Sequence, residues 1–428
     1  MGPMTPPLRR NARFQFLWAG AACTTLGTEI NRVALPLTLL ALTGSAARAG
    51  LVAATLTAAM LLAQMPAGIW VDRHDRRRIL LIAQAVQVLN ALVLLAGLLA
   101  GCAGLAGFLV FAAVDGLCQA FLGPARQVSI RAVVPTSQLR GAFAQEEARS
   151  HAGRVAGPAI GGVLSGVGLL APYLVMAVSV AAAWVFAVLA KVPRRPEEGE
   201  GADGEGTPAA SKEPETSEAD EVSSPRPGML AEARDALQWL LARRGLREMT
   251  LVLMAMNLCG GAVTLSLIVH IRALGGTATL TGFVLTGIGI GGLLGALASG
   301  WLTGKVAVGR LAVGVPAVLG LCLILAALPW EPWWPFFPIL AFSLVTPALN
   351  VAAGAVISEL VPAGMLGRIG ALLGVASMAL SPLGPLIGGL LAGRFGGGWA
   401  LVVAGAGFLL TALAGALSPI LRRFTASP

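Results

Sequence analysis

Charged residues are scarce in this chain of 428 residues. They make up 12% of the sequence, and hydrophobic residues make up 56%, whereas roughly a quarter of a soluble globular domain is charged. So little charge excludes an ordinary soluble domain and predicts a protein whose solvent is the lipid bilayer. Its 55 glycines suit close helix packing in lipid, where small residues let backbones approach.

Several kinds of functional motif are also missing. No G-x4-GK[ST] sequence is present, so ATP is not predicted as the energy source. The His, Cys, Asp and Glu residues show no metal-ligand spacing and no nucleophile paired with a base. The net charge is +9, and the basic residues lie at the ends of apolar stretches rather than along one face of a soluble domain. We therefore predict no enzyme, no metal, no cofactor and no nucleic-acid partner.

Twelve apolar stretches are each long enough, at about 20 residues, to cross a bilayer. They lie near residues 15–42, 47–71, 79–100, 104–125, 142–168, 171–190, 249–271, 280–303, 311–328, 335–357, 367–393 and 397–418. When the connections are assigned alternately to the two sides of the membrane, one side carries few loop lysines and arginines. They are Arg48, Arg272 and Arg394. Because cytoplasmic loops are enriched in Lys and Arg, both termini are predicted to be cytoplasmic.

A different kind of sequence separates the sixth and seventh spans. Residues 196–227 are acidic and poor in apolar residues, which is typical of a disordered linker. The segment that follows repeats apolar residues at helical spacing beside several arginines, which predicts an amphipathic helix on the membrane surface. The predicted organisation is a cytoplasmic tail (1–14), a six-helix bundle (15–190), the acidic cytoplasmic linker (191–228), the interfacial helix (229–247), a second six-helix bundle (248–418) and a cytoplasmic tail (419–428).

The two bundles share sequence motifs at a fixed offset. Gly157-Pro158-Ala-Ile-Gly161-Gly162 in the fifth span recurs as Gly384-Pro385-Leu-Ile-Gly388-Gly389 in the eleventh. Parallel repeats of this kind predict a pseudo-twofold axis along the membrane normal, a central cavity between the halves, and alternating access as the mechanism.

The connection after the second span resembles the signature loop of the major facilitator superfamily. The matching residues are Gly68, Asp72, Arg73, Arg76, Arg77 and Arg78, with Asp75 where that family usually has a glycine. The resemblance implies a cytoplasmic gate in which Asp72 pairs with basic residues or a helix N-terminus. The alternative is that the arginines only set the membrane topology.

The fifth span is similar to the antiporter motif of drug:proton antiporters in the residues Gly153, Gly157, Pro158, Gly161 and Gly162. Such spacing favours tight packing against a neighbouring helix, although any closely packed transmembrane helix shares it. Together with the segment 121–126, the pattern most resembles bacterial macrolide-efflux and siderophore exporters.

That resemblance implies a monomer in the bacterial inner membrane that exports an amphiphilic small molecule, with the proton gradient as its energy source. A lipid or lysophospholipid flippase, a nutrient importer, and a transporter-like sensor or scaffold remain alternatives.

Charges inside the spans are costly and usually functional. Glu29 and Arg32 lie three residues apart on the first span, so they face one side of the helix. Glu29 is the first candidate proton carrier, and a purely structural ion pair is the alternative. Asp115, in the middle of the fourth span, is predicted either to take up a proton or to pair with a cation such as Arg32.

Charged residues also crowd the predicted cytoplasmic end of the fifth span. They are Glu146, Glu147, Arg149, His151 and Arg154. Proximity to water favours a solvated interfacial cluster. Glu146 and Arg126 are also assigned to the cytoplasmic gate, where Glu146 would pair with the basic neighbours of Asp72.

Overall fold

The computed structural model describes residues 8–193, 238, 242–361 and 366–419. Most of the predicted acidic linker and of the predicted interfacial helix lies outside the described residues, so both remain predictions. The seventh span begins at Arg244, and it therefore includes four residues that the sequence assigned to the interfacial helix.

Within these ranges the chain forms thirteen α-helices and no strands, so the predicted all-α fold is confirmed. The helices are α1 (Ala12–Thr43), α2 (Ala46–Arg73), α3 (Arg76–Leu99), α4 (Leu105–Val133), α5 (Leu139–Val167), α6 (Ala171–Leu189), α7 (Arg244–Ala273), α8 (Ala278–Thr303), α9 (Val308–Ala326), α10 (Phe336–Leu360), α11 (Leu366–Met378), α12 (Leu383–Phe395) and α13 (Gly397–Leu417).

The helices identify a multi-pass membrane protein. Ten segments of the described chain are long and apolar enough to cross a membrane, and one of them, Leu372–Phe395, joins α12 to the end of α11. The helices α1 and α5 complete two bundles of six spans. Charged residues along α1 and α5 lower the hydropathy of these two helices.

The eleventh span is interrupted, whereas the sequence predicted one continuous helix over 367–393. It consists of α11 and α12, joined by a turn at residues 379–382. Pro382 and Pro385 each lack a backbone N–H, so neither residue can donate an i to i−4 hydrogen bond. Ser381 N donates to the Met378 carbonyl instead (2.9 Å), and the Asn257 side chain of α7 donates to the Ser377 carbonyl (3.0 Å).

Within each half, one copy of the repeated glycine motif packs on the first helix of that half. A β-carbon at Gly157 of α5 would lie 2.3 Å from the β-carbon of Glu29 in α1. At the equivalent place in the second half, a β-carbon at Gly384 would lie 2.8 Å from the α-carbon of Gly261 in α7. The motif therefore serves as a close-packing surface in both halves.

The same motifs also join the two halves. A β-carbon at Gly282 of α8 would lie 2.4 Å from the carbonyl oxygen of Pro158 in α5. A β-carbon at Gly50 of α2 would lie 2.4 Å from the carbonyl oxygen of Pro385 in α12. These matched contacts follow the pseudo-twofold relation that the sequence repeat predicts.

The contacts between the halves are concentrated toward one end of the bundle. Gly166 of α5 meets Thr279 at the start of α8, and Gly393 of α12 meets Ala47 at the start of α2. We call this the closed end. The other end, where α1 begins and α2 ends, carries the arginine cluster 73–78 and is called the basic end. The halves are thus held together between the middle of the bundle and the closed end.

Candidate functional site

A cavity of about 470 Å³ lies between the two halves. Its wall is built by α1, α2 and α4 from the first half and by α7, α9, α10, α12 and α13 from the second, with Met378 and Ser381 from the interrupted span. Cavities of about 300–1,000 Å³ accommodate drug-sized molecules. The cavity is therefore the candidate transport site.

The two sides of this cavity differ in charge, although both contribute apolar residues. Its charged lining residues, Arg32 and Asp115, both belong to the first half. The second half contributes neutral amides and hydroxyl groups, together with a largely apolar surface. That apolar surface consists of Leu253, Met256, Leu265, Leu319, Phe342, Met378 and Phe408.

Asp115 is held by amide groups rather than by a cation. Its side chain accepts hydrogen bonds from Gln87 Nε2 of α3 and from Gln119 Nε2 of α4, each at 2.8 Å. The residue is 5% exposed, and it makes no ion pair in the described part of the chain. A buried carboxyl group without a cationic partner suits reversible protonation, because rotation of the Gln87 amide would present an acceptor to the protonated form.

Glu29 and Arg32 form the ion pair that their spacing predicts, with 3.0 Å between Arg32 Nε and Glu29 Oε2. The Arg32 side chain is 60% exposed and lines the cavity. Glu29 is buried against Gly157 and is not among the cavity-lining residues. Of the two predicted proton carriers, Asp115 alone borders the cavity.

The predicted gate loop is only partly described. Gly68 and Asp72 lie within α2, but the side chain of Asp72 is outside the described part of the structure, so its role as a latch remains a prediction. Asp75 caps the N-terminus of α3, where its Oδ1 accepts from Arg77 N at 2.9 Å. This cap explains how the loop turns with an aspartate where the family usually has a glycine.

Two arginines of this loop contact nearby residues of the first half. Arg78 lies 3.9 Å from Asp75, and Arg76 donates to the carbonyl oxygen of Pro193 at 3.4 Å. Arg73 is exposed.

The charged cluster at the start of α5 is not simply solvated, which corrects the sequence-based interpretation. Arg149 is 7% exposed. It pairs with Glu146 and donates to the Ala21 carbonyl (2.8 Å) and the Thr25 hydroxyl of α1. Glu146 also lies 3.6 Å from Arg126 of α4. These contacts join α1, α4 and α5, and Glu146 pairs with Arg126 and Arg149 rather than with the basic neighbours of Asp72.

Arg149→Ala is expected to destabilise the first half by about 3 kcal/mol, because breaking a buried ion pair leaves its partners unsatisfied. Thermal unfolding of the purified protein measures the effect. Glu147→Ala is the matched control, because Glu147 is 71% exposed and contacts only His151 among the ion pairs of the described chain. Equal unfolding temperatures for the two variants would contradict a structural role for Arg149.

The sequence did not identify the amides that hold Asp115. Gln87 is one of several uncharged polar residues within the spans, and nothing in the sequence assigns it a role. Gln119 was not singled out, although its position four residues after Asp115 places both side chains on one face of α4.

Comparison with known proteins agrees with this architecture. The family model of the Major Facilitator Superfamily matches residues 17–346. No curated protein sequence matches the chain.

Several solved transporter structures share the fold. A bacterial homolog of the human lysosomal transporter Spinster, inward-facing and unoccupied, has a TM-score of 0.71 at 16% identity, over 99% of this chain and 100% of that one. A bacterial homologue of the iron transporter ferroportin, also inward-facing, has a TM-score of 0.70 at 13% identity, over 99% and 100%. A POT family transporter, PepTSo, has a TM-score of 0.70 at 12% identity, over 96% and 98%. At these identities the likeness shows the fold alone.

Proposed function

The chain belongs to the Major Facilitator Superfamily, and from that premise we propose that this secondary transporter exports an amphiphilic small molecule in exchange for protons. The proposal rests on the difference between the two sides of the central cavity, because both charged lining residues belong to the first half. A substrate with one polar and one apolar part would place the polar part against Arg32 and Asp115 and the apolar part against the aromatic and aliphatic residues of the second half. Drugs and secondary metabolites such as siderophores include molecules of this kind.

Proton coupling is proposed to run through Asp115. This carboxyl group borders the cavity and has no cationic partner in the described chain, whereas Glu29 is held by Arg32. Protonation of Asp115 removes the negative charge that a bound substrate would meet, so proton and substrate occupancy are linked through one cavity. Proton entry from one side then favours substrate release on that side.

We propose export because the sequence resembles bacterial macrolide-efflux and siderophore exporters, and the proposed orientation is compatible with that direction. We place the protein in a bacterial inner membrane with the basic end in the cytoplasm, as the positive-inside rule directs. The cavity of this state then faces the cytoplasm, from which the substrate would enter. The solved neighbours include peptide, nucleoside and D-xylose transporters, so the fold itself is compatible with many substrates.

Proteoliposomes with an acidic lumen test the proposal. One pH unit supplies about 1.4 kcal/mol per proton, enough to sustain about tenfold accumulation at one-to-one exchange. We expect accumulation of a permanently charged amphiphilic dye or a siderophore-like compound to approach that limit. A permanently charged probe is needed because weak bases accumulate in acidic vesicles without a transporter.

Protein-free vesicles and a protonophore are the controls. Accumulation that collapses with the gradient supports proton exchange. Movement that ignores the gradient but depends on lipid composition would instead support a flippase, and no movement across the panel would support a sensor or scaffold.

A further inference from the structure

A second, much smaller cavity lies inside the first half, beside Asp115. Its volume is about 10 Å³, which is room for one water-sized particle. Asn31 of α1, Gln87 of α3 and Asp115 of α4 line it, together with Thr28 and mainly apolar residues. The exposed fractions of Asn31, Gln87 and Asp115 are 4%, 4% and 5%.

Two oxygens in this cluster have no hydrogen-bond partner in the part of the chain that the structure describes. They are Asn31 Oδ1 and Gln87 Oε1. A buried polar atom left unsatisfied costs about 1–3 kcal/mol, so such atoms usually have a ligand or water to satisfy them. Asp115 adds a carboxylate whose two oxygens each accept one amide hydrogen and keep further acceptor capacity.

We propose that Asn31, Gln87 and Asp115 bind one sodium ion. Hard cations prefer carboxylate and carbonyl oxygens, and these three side chains supply both kinds. A single carboxylate balances a single positive charge, whereas a divalent ion would leave an uncompensated charge in a buried site. The small volume favours a small ion. One water molecule could donate to both unpartnered oxygens, Asn31 Oδ1 and Gln87 Oε1, so water is the alternative occupant that the binding experiment distinguishes from the ion.

The proposed ion links three helices of the first half. Asn31, Gln87 and Asp115 belong to α1, α3 and α4, so sodium would fix the mutual positions of these helices beside the transport cavity. The inference goes beyond the proposed function: sodium and a proton would compete for the Asp115 carboxylate, and ion binding is measured without a gradient or a substrate, so it is tested independently of proton coupling.

Equilibrium binding of ²²Na⁺ to the purified full chain tests the proposal, with choline chloride as the background salt. We expect saturable binding of one ion per chain. Asp115→Asn and Asn31→Ala are each expected to weaken this binding by at least about tenfold, the scale on which altered metal-site residues reduce affinity. Asn350→Ala is the matched control, because Asn350 is an exposed amide of the main cavity and should leave sodium binding unchanged.

Thermal unfolding in sodium and choline chloride provides a second measurement and verifies that each variant is folded. Sodium should raise the unfolding temperature of the wild-type protein and of Asn350→Ala, but not of the two site variants. Absence of saturable binding at physiological salt would overturn the proposal and assign the cavity to water. Unchanged binding in both site variants, or equal displacement by potassium, would also overturn it.

The two proposals fail separately. Sodium binding without pH-driven transport would leave the ion site standing and remove proton exchange. Proton exchange without sodium binding would do the reverse.

Discussion

Asp115→Asn is expected to abolish pH-driven accumulation in proteoliposomes, lowering the inside-to-outside substrate ratio from about tenfold to about one at a gradient of one pH unit. Asparagine has nearly the same size as aspartate and can still bond to Gln87 and Gln119, but it cannot exchange a proton. Substrate counterflow without a pH gradient should persist, because exchange of labelled for unlabelled substrate requires no net proton movement. Loss of the driven reaction alone would identify Asp115 as a coupling residue.

Glu29→Gln is the matched comparison, because it neutralises a carboxyl group of α1 that does not line the cavity. A smaller effect on pH-driven accumulation is expected, since Arg32 remains in the cavity wall. If Glu29→Gln abolished the driven reaction and Asp115→Asn did not, Glu29 would be the proton carrier, as the sequence first suggested. Loss of counterflow in Asp115→Asn would indicate a defect in substrate binding instead.

Sequence patterns predicted the bundle but not the break in its eleventh span. Hydropathy is continuous there, and the equivalent Pro158 leaves α5 helical over Leu139–Val167. The difference is a second proline, Pro382, three residues before Pro385, so two backbone donors within four residues are missing rather than one. Both prolines are visible in the sequence, but the stabilising contact from Asn257 requires knowledge of how α7 and α11 pack.

For the candidate site, helical spacing predicted the contact within one helix, but the sequence did not predict the contacts between helices. The pairing of Glu29 with Arg32 follows from helical geometry alone. The hydrogen bond from Gln87 to Asp115 joins α3 and α4. No local sequence pattern predicts which faces of these two helices meet. Arg149 was interpreted as solvated because it lies near the predicted cytoplasmic end of the fifth span, yet one of its partners is the backbone carbonyl of Ala21, which has no sequence signature.

Gly282→Ala is expected to shift the conformational equilibrium away from the state described here by about thirtyfold. The added methyl group would lie 2.4 Å from the carbonyl oxygen of Pro158 and 2.6 Å from the α-carbon of Gly162. Overpacking of this kind costs about 2 kcal/mol, which corresponds to that factor. The cost disappears when α5 and α8 separate, so the substitution favours opening of the closed end. Gly50→Ala should act in the same direction, because Gly50 meets Pro385 in the same way.

Spin labels on the two halves at the closed end measure this shift. Cys102 is exposed in the loop between α3 and α4, and Trp330 is exposed in the loop between α9 and α10. Labels at Cys102 and at Trp330→Cys, with the other four cysteines replaced, should report a new population at longer distance in Gly282→Ala. Gly292→Ala on the same helix is the control, since nothing lies within 4 Å of its added methyl group. Alanine stabilises a helix relative to glycine, so any loss of closure confined to Gly282→Ala must come from the contact between the halves. Equal distances in both variants would show that this contact does not hold the closed end.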